Sequence, residues 1–181
     1  AHSVAPTDAT GHTIREAVLG RVFGVFFNQN QNDIFADKVV RHALDQALDK
    51  DKIVSTLIGG YGSPLSGPLP PSTTAATVPT DETDHGAVAR AILEKDGWKV
   101  GADGVYEKTV KKSTKRLSFT LATGNSPELK SAAEIVAETW RAVGVEVTTQ
   151  YFDASDLQQD IIRTRKYDAL LFGEVVGREM D

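Results

Sequence analysis

The sequence predicts an α/β domain, in which a largely parallel or mixed β-sheet is covered by helices. Three observations support this prediction. Apolar runs of strand length alternate with amphipathic stretches of helical period along the second half of the chain. The hydrophobic fraction of 40% and the charged fraction of 25% are ordinary for a folded globular protein. The 181 residues also suffice for one domain with a buried core.

The first strand and the first two helices are predicted before residue 60. Residues 18–28 are rich in β-branched and aromatic side chains without polar alternation, which is typical of a buried strand. From Asp37, apolar residues recur at helical spacing, and the Asp37 carboxylate is a suitable N-cap. Asp49 can cap a second short helix. This helix is expected to end at Gly59-Gly60, because glycine readily adopts the left-handed conformation found at helix ends.

Residues 59–79 are rich in glycine and proline, a composition that sustains neither a helix nor a central strand. Two interpretations stay open: an ordered loop that offers a contact surface, since long loops in compact domains are often functional, or a floppy connection. The run GGYGSPLSG at 59–67 superficially resembles a phosphate-binding loop. It lacks the Gly-Lys-Ser/Thr ending and follows a helix instead of a strand, so a nucleotide site is rejected.

The central part of the chain predicts one helix followed by a hairpin-like stretch. The helix begins after Asp84 and ends at Gly97, and Asp103-Gly104 provides the turn signal of the hairpin. A basic run falls between two strand-like segments and consists of Lys111, Lys112, Lys115 and Arg116. This run is interpreted as the solvated end of a hairpin, and no function is assigned to it.

The second half of the chain alternates strands with helices. A strand over 117–123 leads to a helix over Pro127–Val143, whose start combines a capping Ser126, a proline at the first position and an early acid. Gly144 ends this helix. A strand over 145–151, a helix through Leu157, Ile161 and Ile162, and an apolar strand over 169–172 follow. This order implies right-handed crossovers and a largely parallel sheet.

Two side chains are predicted to stabilise this fold. Arg41 lies one helical turn after Asp37, at a spacing that lets the two charges pair, so Arg41 is expected to be structural. Trp140 is the largest residue on the apolar face of the helix Pro127–Val143. It is expected to contribute more than its neighbours to the core between that helix and the sheet.

Composition argues against several classes of function. The net charge is −5 and the 20 lysines and arginines are scattered, which is unlike a nucleic-acid-binding protein. There is no cysteine, so disulfides, thiolate nucleophiles and cysteine-type zinc sites are excluded. No apolar run reaches the roughly 18 residues that a membrane helix requires. The chain starts without the features of a signal peptide, and a targeting segment of an exported protein is expected outside these residues.

No constellation of residues indicates catalysis. Metal-ligand spacing is absent among the histidines, which are His2, His12, His42 and His85. Asp153, Asp156 and Asp160 form an acidic group, but the last two lie one helical turn apart on a polar face, where carboxylates usually meet solvent. No serine lies in a nucleophile-elbow sequence. The sequence therefore predicts a protein that is not an enzyme and that binds no metal or other cofactor.

Topology offers a candidate binding site, because ligands of open parallel sheets lie beyond the carboxyl ends of the strands. Thr123, Gly124 and Asn125 join a strand to a helix start, where exposed amides favour carboxylate or carbonyl groups. Residues 173–181 follow the last strand. The alternative for 123–125 is an ordinary strand-to-helix turn, and the spacing of the residues does not exclude it.

Several motifs occur in a defined order along the chain. The first are Phe27-Asn28, Phe35-Ala36-Asp37, Val40-Arg41-His42-Ala43 and Asp51-Lys52-Ile53, followed by the glycine- and proline-rich loop. The later ones are ILEKDGWKVGADGVYEK, KRLSFTLATGN, AAEIVAETWRAVGVEVTTQ and KYDALLFG. From Val22 onward, this order resembles the extracellular solute-binding proteins of the dipeptide, oligopeptide and nickel uptake family, which serve ABC importers.

The resemblance implies one lobe of a two-lobe fold like that of periplasmic binding proteins. Residues 22–181 match the second lobe, which is expected to be incomplete at its C-terminal end, and residues 1–21 match less clearly. Family members capture peptides or related small solutes between two lobes and deliver them to membrane permease subunits. The expected partners are therefore a small solute, the missing first lobe and the permease. The implied location is periplasmic or extracellular, with the full-length protein associated with the membrane.

The resemblance and the topology together place the ligand at two strand ends. The implied ligand-binding residues are Thr123, Gly124, Asn125, Glu174, Val175, Val176, Gly177 and Arg178. In peptide-binding members, an aromatic residue and then an aspartate that pairs with the peptide's α-amino group often follow the last strand. Glu174 and Gly177 occupy these two positions here, which argues against standard peptide recognition. The acidic residues that could supply the charge instead are Glu174, Glu179 and Asp181.

Two other classes of function are kept as alternatives. A doubly wound enzyme domain, such as a nucleotide-sugar transferase, would need a phosphate-cradling glycine loop directly after a strand. An adaptor domain would bind a partner protein through the proline-rich stretch 64–79 and would bind no small solute.

Overall fold

The computed structural model describes residues 21–59, 62–65, 67 and 83–175. In chain order, the elements are β1 (Arg21–Phe27), a 3-10 turn (Asp33–Ala36), α1 (Lys38–Gln46), α2 (Lys50–Ile58), α3 (His85–Lys95), β2 (Lys99–Val100), β3 (Tyr106–Val110), β4 (Ser113–Arg116), β5 (Ser118–Gly124), α4 (Pro127–Val143), β6 (Glu146–Phe152), α5 (Ala154–Asp156), a π-helical segment (Leu157–Ile162) and β7 (Ala169–Val175). The predicted loop over 59–79 lies largely outside the described residues.

The main sheet has four strands in the order β1-β7-β5-β6. β5 runs parallel to both of its neighbours, β6 and β7. β1 runs antiparallel to β7. α4 packs against β5 and β6 on one face of the sheet, and Leu157 of the π-helical segment packs with Ala122 and Leu170 in a second apolar cluster. The sheet is therefore mixed and covered by helices, which confirms the predicted α/β fold class.

β1 differs from the buried strand that the sequence predicts. It lies at the edge of the sheet with β7 as its neighbour, and its Phe23 and Phe26 side chains are 52% and 47% exposed. Aromatic and β-branched residues indicate a strand, but they do not distinguish a central strand from an edge strand, because both present a pleated surface to some neighbour. Residues 18–20 of the predicted strand lie outside the described residues.

The predicted helix starts and ends are confirmed by their caps. Each capping side chain accepts a hydrogen bond from a backbone N–H at 2.8 to 3.3 Å, and the capping residues are Asp37, Asp49, Asp84 and Ser126. These bonds satisfy N–H groups that have no partner inside the helix. α2 and α4 end at Gly59 and Gly144, with φ of 60° and 105°. A side chain at either position would strain the backbone.

Trp140 lies at the centre of the main core, as the sequence predicts. Its side chain is 1% exposed, and its indole Nε1 donates to the Leu44 carbonyl oxygen at 2.9 Å. The ring centroids of Phe119 and Phe27 are 5.4 and 6.1 Å from that of Trp140. Phe35 completes this aromatic cluster, which joins α1, α4 and the sheet.

Arg41 makes a different contact from the predicted ion pair with Asp37. Its Nη1 donates a hydrogen bond to the Phe35 carbonyl oxygen, at the 3-10 turn that precedes α1. Asp37 caps α1 through the Val39 N–H and lies 3.8 Å from Lys108 Nζ. The Asp37 carboxylate is therefore used by the helix end and by β3, and the guanidinium of Arg41 satisfies a backbone carbonyl instead.

β2, β3 and β4 form a separate three-stranded antiparallel sheet. The predicted turn at Asp103-Gly104 is present, with φ of 85° at Gly104. In the basic run, Lys111 and Lys112 are exposed at the turn between β3 and β4, whereas Arg116 is half-buried in an ionic network. Its guanidinium contacts the carboxylates of Asp103, Glu107 and Glu146 at 2.5, 3.2 and 2.9 Å. The predicted solvated hairpin end is thus confirmed at the turn, while Arg116 ties the small sheet to β6.

Candidate functional site

Three parallel strands of the main sheet, β5, β6 and β7, end at the same edge, which we call the carboxyl edge. Their register places Gly124 beside Phe152 at the ends of β5 and β6. β1 starts at this edge, because Arg21 lies opposite Val175 in the antiparallel pair with β7. The N-terminal end of β1 and the C-terminal end of β7 therefore lie side by side at the carboxyl edge. This is also the edge at which open α/β sheets bind ligands.

The ends of β5 and β6 are joined by Asn125. Its backbone N–H donates to the Phe152 carbonyl oxygen at 2.9 Å, and its side-chain Nδ2 donates to Asp153 Oδ1. Both side chains are exposed. Ser126 caps α4 directly after this pair. The carboxyl edge thus presents an amide and a carboxylate next to the positive end of a helix.

Thr123 and Gly124 serve the packing of the strand end. Thr123 is 0% exposed, and its hydroxyl donates to the Leu171 carbonyl oxygen at 2.8 Å, so it links β5 to β7. A Cβ atom at Gly124 would lie 3.0 Å from Leu129 Cδ1 and 3.7 Å from Leu157 Cδ2. Of the three predicted residues at the end of β5, Asn125 is the one whose side chain is exposed.

The second predicted group lies at the end of β7. Glu174 and Val175 continue β7 and lie opposite Val22 and Arg21 of β1. Val176, Gly177 and Arg178 lie outside the described residues, as do Glu179 and Asp181. The ligand-binding role of this group stays a prediction.

Phe23 forms an exposed aromatic surface at the β1–β7 end of the edge. A Cβ atom at Gly173 would come within 2.6 Å of Phe23 Cε1, so the absence of a side chain at Gly173 lets the ring lie across β7. The Arg21 guanidinium lies 5.6 Å from the centre of the Phe23 ring. At this distance the cation and the ring attract each other.

Sequence reasoning considered Asp153 within an acidic group with Asp156 and Asp160, and it missed the pairing of Asp153 with Asn125. The signal was available: Asp153 is the first residue after a strand predicted to be parallel to β5. Residues that follow parallel neighbouring strands meet at one edge. Asp156 and Asp160 are exposed, as predicted.

The outer surface of α4 and β6 carries a polar cluster close to the edge. The hydroxyl of Tyr151 and that of Thr149 both donate to Glu134 Oε1, and these hydrogen bonds lower the pKa of Glu134. Burial and the hydrogen bond to Glu134 raise the pKa of Tyr151. Lys130 Nζ lies 5.5 Å from the centre of the Tyr151 ring. These contacts fix the end of β6 against the first turns of α4.

The described residues contain no cluster of three or more His, Asp and Glu side chains that could hold a metal ion. His42 is exposed, and His85 Nδ1 lies 3.1 Å from the Gln46 carbonyl oxygen. His2 and His12 lie outside the described residues. None of the helices in the described part is long and apolar enough to cross a bilayer.

Two open pockets occur elsewhere on the surface, and neither includes residues 123–125 or Asp153. One, of about 250 Å³, lies where the ends of α1, α2 and α3 meet, and Lys50 and His85 are among its lining residues. The other, of about 180 Å³, is lined by residues such as Thr120 and Gln150. At the carboxyl edge, the side chains of Asn125 and Asp153 lie exposed at the surface.

Known proteins resemble the chain in sequence and in fold. The family model of bacterial extracellular solute-binding proteins, family 5 Middle, matches residues 3–177. The oligopeptide-binding protein AppA of Bacillus subtilis is 34% identical over 160 residues, which are 82% of this chain and 28% of that protein. Protein XP55 of Streptomyces lividans is 28% identical over 118 residues, or 65% of this chain and 21% of that protein.

Two solved structures share this fold over most of the chain. AppA from Bacillus subtilis, in complex with a nonapeptide, matches with a TM-score of 0.74 and 29% identity, over 91% of this chain and 33% of that one. NikZ from Campylobacter jejuni, in complex with Ni(L-His), matches with a TM-score of 0.72 and 26% identity, over 90% of this chain and 31% of that one. The chain thus spans about a third of the length of these relatives.

These comparisons show the family of the chain. They match solute receptors along nearly the whole chain and give no support to an enzyme domain. The order of motifs from Val22 onward and the mixed sheet with its carboxyl edge agree with the same assignment. The chain belongs to family 5 of the bacterial extracellular solute-binding proteins.

Proposed function

We propose that the chain is the second lobe of an ABC importer's solute receptor and that it supplies one wall of a cleft for a peptide or a related small solute. One observation carries this proposal: the N-terminal end of β1 and the C-terminal end of β7 lie side by side at the edge where three parallel strands end. A first lobe connected to these two strand ends would face the carboxyl edge. Ligand sites lie preferentially at such domain boundaries.

The shape of the edge supports a cleft with two walls. Asn125, Asp153 and Phe23 are exposed there. A small-molecule site usually buries most of its ligand. The carboxyl edge gives contacts on one side, so the opposite side of the ligand needs a second surface.

The size of the edge fits an extended peptide. The four strands of the main sheet are separated by three spacings of about 4.8 Å each, which gives about 14 Å from β1 to β6. An extended chain advances about 3.3 to 3.6 Å per residue, so about four residues cover this distance. The relatives AppA and NikZ were solved with a nonapeptide and with Ni(L-His). A peptide, or a small complex built from amino acids, is therefore the class of solute that we propose.

Delivery of the solute requires membrane partners. We propose that the permease subunits of an ABC importer receive the closed receptor, and that the complete protein works outside the cytoplasm, in the periplasm or at the cell surface in association with the membrane. The family to which the chain belongs is bacterial and extracellular. Permease and ATPase genes beside the gene would support this role, and their absence together with an unrelated operon would argue against it.

Calorimetry tests whether this lobe alone supplies only part of the binding site. The isolated chain, once circular dichroism has shown that it is folded, and the two-lobe receptor are titrated with alanine-based nonapeptides and with Ni(L-His). Half a site loses contact area but saves little of the entropic cost of binding. The isolated chain should bind no tighter than about millimolar, where about 4 kcal/mol of binding free energy remains.

The two-lobe receptor should bind at least one of these solutes more tightly by a factor of about 100 or more. Micromolar binding by the isolated chain would mean that the site is self-contained, and the two-lobe proposal would be abandoned. A receptor that binds neither peptides nor Ni(L-His) would contradict the proposed class of solute.

A further inference from the structure

The geometry points to Asp153 as the charge-selecting residue of the carboxyl edge: held by Asn125, it binds an ammonium or guanidinium group of the solute. This inference rests on the proposed function, since it names a chemical class of solute for the same cleft. The cationic group has two possible sources, the amino terminus of a peptide and the side chain of a lysine or arginine. The shared chemistry is a donor-rich cation that meets a carboxylate.

Asp153 is positioned by contacts on both sides of it. It follows β6, whose last carbonyl, that of Phe152, accepts the Asn125 N–H at 2.9 Å. The Asn125 side-chain amide then donates to Asp153 Oδ1. An ionised carboxylate can accept several hydrogen bonds on its two oxygens, so capacity on Oδ2 is left for a further donor. The pair is thus an oriented acceptor at the mouth of the proposed cleft.

In the part of the chain that the structure describes, neither a helix cap nor an ion pair uses the Asp153 carboxylate. Asp153 is the N-cap residue of α5, yet its side chain makes no capping hydrogen bond there. This differs from Asp37, Asp49 and Asp84, whose carboxylates all cap their helices. Within the described part of the chain, no lysine or arginine forms an ion pair with Asp153.

Two cationic side chains near this edge lie against aromatic rings. Lys130, in the first turns of α4, lies over the Tyr151 ring at 5.5 Å. Arg21, at the other end of the edge, lies over the Phe23 ring at 5.6 Å. A carboxylate that is exposed, oriented and without an ion pair attracts cations and disfavours anions. When the first lobe closes over the cleft and excludes water from it, this preference becomes stronger.

The test compares Asp153→Asn with the matched control Asp156→Asn in the two-lobe receptor. Asp156 is an exposed aspartate on α5 that accepts a hydrogen bond from Ser155 Oγ. The probes are nonapeptides of alanine with a single lysine at each position in turn, each paired with the same peptide carrying norleucine. A second set has acetylated amino termini. Affinity is measured by calorimetry at low and at high salt.

We expect one lysine position, or the free amino terminus, to be favoured by the unmodified receptor by about tenfold over its uncharged counterpart. Asp153→Asn should bring the ratio of affinities for the charged and uncharged probes close to one, and Asp156→Asn should retain the preference. If Asp153→Asn loses a preference for one lysine position, the bound cation is a side chain. If it loses the difference in affinity between free and acetylated peptides, the bound cation is the amino terminus.

Two results overturn the inference, and they are distinguishable. If the unmodified receptor binds the peptides but Asp153→Asn changes no ratio between charged and uncharged probes, the role of Asp153 is wrong and the proposed function stands. If the unmodified receptor binds none of the probes, the peptide class of solute fails, and the inference fails with it.

Discussion

At the amino end of the main sheet, Phe27, Phe119 and Trp140 meet in an aromatic cluster beneath α1 and α4. At the carboxyl end, Asn125 and Asp153 stand exposed. We call the region of the aromatic cluster the packed end and the carboxyl edge the open end. The same strands connect the two regions, so the packed end holds the open end in place. Stability and binding are thereby separated in space. Substitutions at the two ends should consequently affect different measurements.

Truncation of Trp140 should give the largest effect at the packed end. Trp140 is 1% exposed and its indole N–H is bonded to the Leu44 carbonyl. Trp140→Ala should lower the free energy of unfolding by about 3 to 5 kcal/mol, because it removes buried contacts and leaves a cavity. Denaturant unfolding followed by circular dichroism measures this change.

Phe23→Ala is the matched control, because Phe23 is an aromatic residue at the open end and is 52% exposed. It should cost about 1 kcal/mol or less, since little of its surface is buried on folding. Equal costs for the two truncations would show that the carboxyl edge is as tightly packed as the aromatic cluster, and the comparison between the two ends would break.

Thr123 tests where the packed region stops. Its hydroxyl bonds to the Leu171 carbonyl inside the sheet, although the sequence places it in the ligand-binding group. Thr123→Val keeps the shape but leaves that carbonyl without its donor, which should cost about 1 to 3 kcal/mol of unfolding free energy. Thr148→Val, at an exposed position of β6, should stay within about 0.5 kcal/mol.

The affinity of the two-lobe receptor should change little in Thr123→Val once the protein is kept folded. A large loss of affinity at unchanged stability would place Thr123 in direct contact with the solute, and the boundary between the two regions would then lie one residue deeper in β5.

Substitution of Arg41 tests the comparison with a charged residue at the packed end. Its guanidinium donates to the Phe35 carbonyl and holds the 3-10 turn against α1. Arg41→Ala should lower the free energy of unfolding by about 1 to 2 kcal/mol, in the range of a hydrogen bond to a charged group. Calorimetric affinity of the receptor should remain close to that of the unmodified protein. The opposite pattern, weaker binding at unchanged stability, would overturn the structural role.

Much of the fold follows from local rules in the sequence. Asp37, Asp49 and Ser126 predict helix starts because a capping side chain acts within three residues of itself. Gly59 and Gly144 predict helix ends for an equally local reason. The alternation of strands and helices predicts the parallel pairing of β5 with β6 and with β7.

The features that sequence reasoning missed depend on distant partners. The edge position of β1 depends on which strand lies beside it. Phe27 lies opposite Ala169, and nothing in the local pattern of β1 specifies a partner so far along the chain.

 The partner of Arg41 is a backbone carbonyl, which any residue could supply, so the choice of Phe35 over Asp37 leaves no mark in the residue pattern. The order of the parallel strands brings Asn125 and Asp153 to the same edge, but their direct contact also requires the register of β5 against β6, which hydrophobic periodicity does not specify.

The smallest expected effect concerns the small sheet, which is joined to β6 by charges instead of an aromatic cluster. The guanidinium of Arg116 donates hydrogen bonds to Asp103 and Glu146, and these bonds lower the pKa of both carboxyl groups below their ordinary values of 3.8 and 4.5. A carboxyl group whose pKa is lower in the folded state stabilises the fold above its ordinary pKa. This contribution is lost as the pH falls through the folded-state value.

Arg116→Gln should therefore reduce stability at about pH 6 and have less effect at about pH 3, where the carboxylates of the unmodified protein are becoming protonated. Because these side chains are partly exposed to solvent, about 0.5 M salt should also shrink the difference between the two proteins. Urea midpoints at both pH values measure this, with Lys112→Gln at the exposed β3–β4 turn as the control. A difference that stays constant with pH and salt would mean that Arg116 holds the small sheet through packing of its aliphatic stem. The junction between the small sheet and β6 would then be stabilised by packing, as the aromatic cluster is, and not by ion pairs.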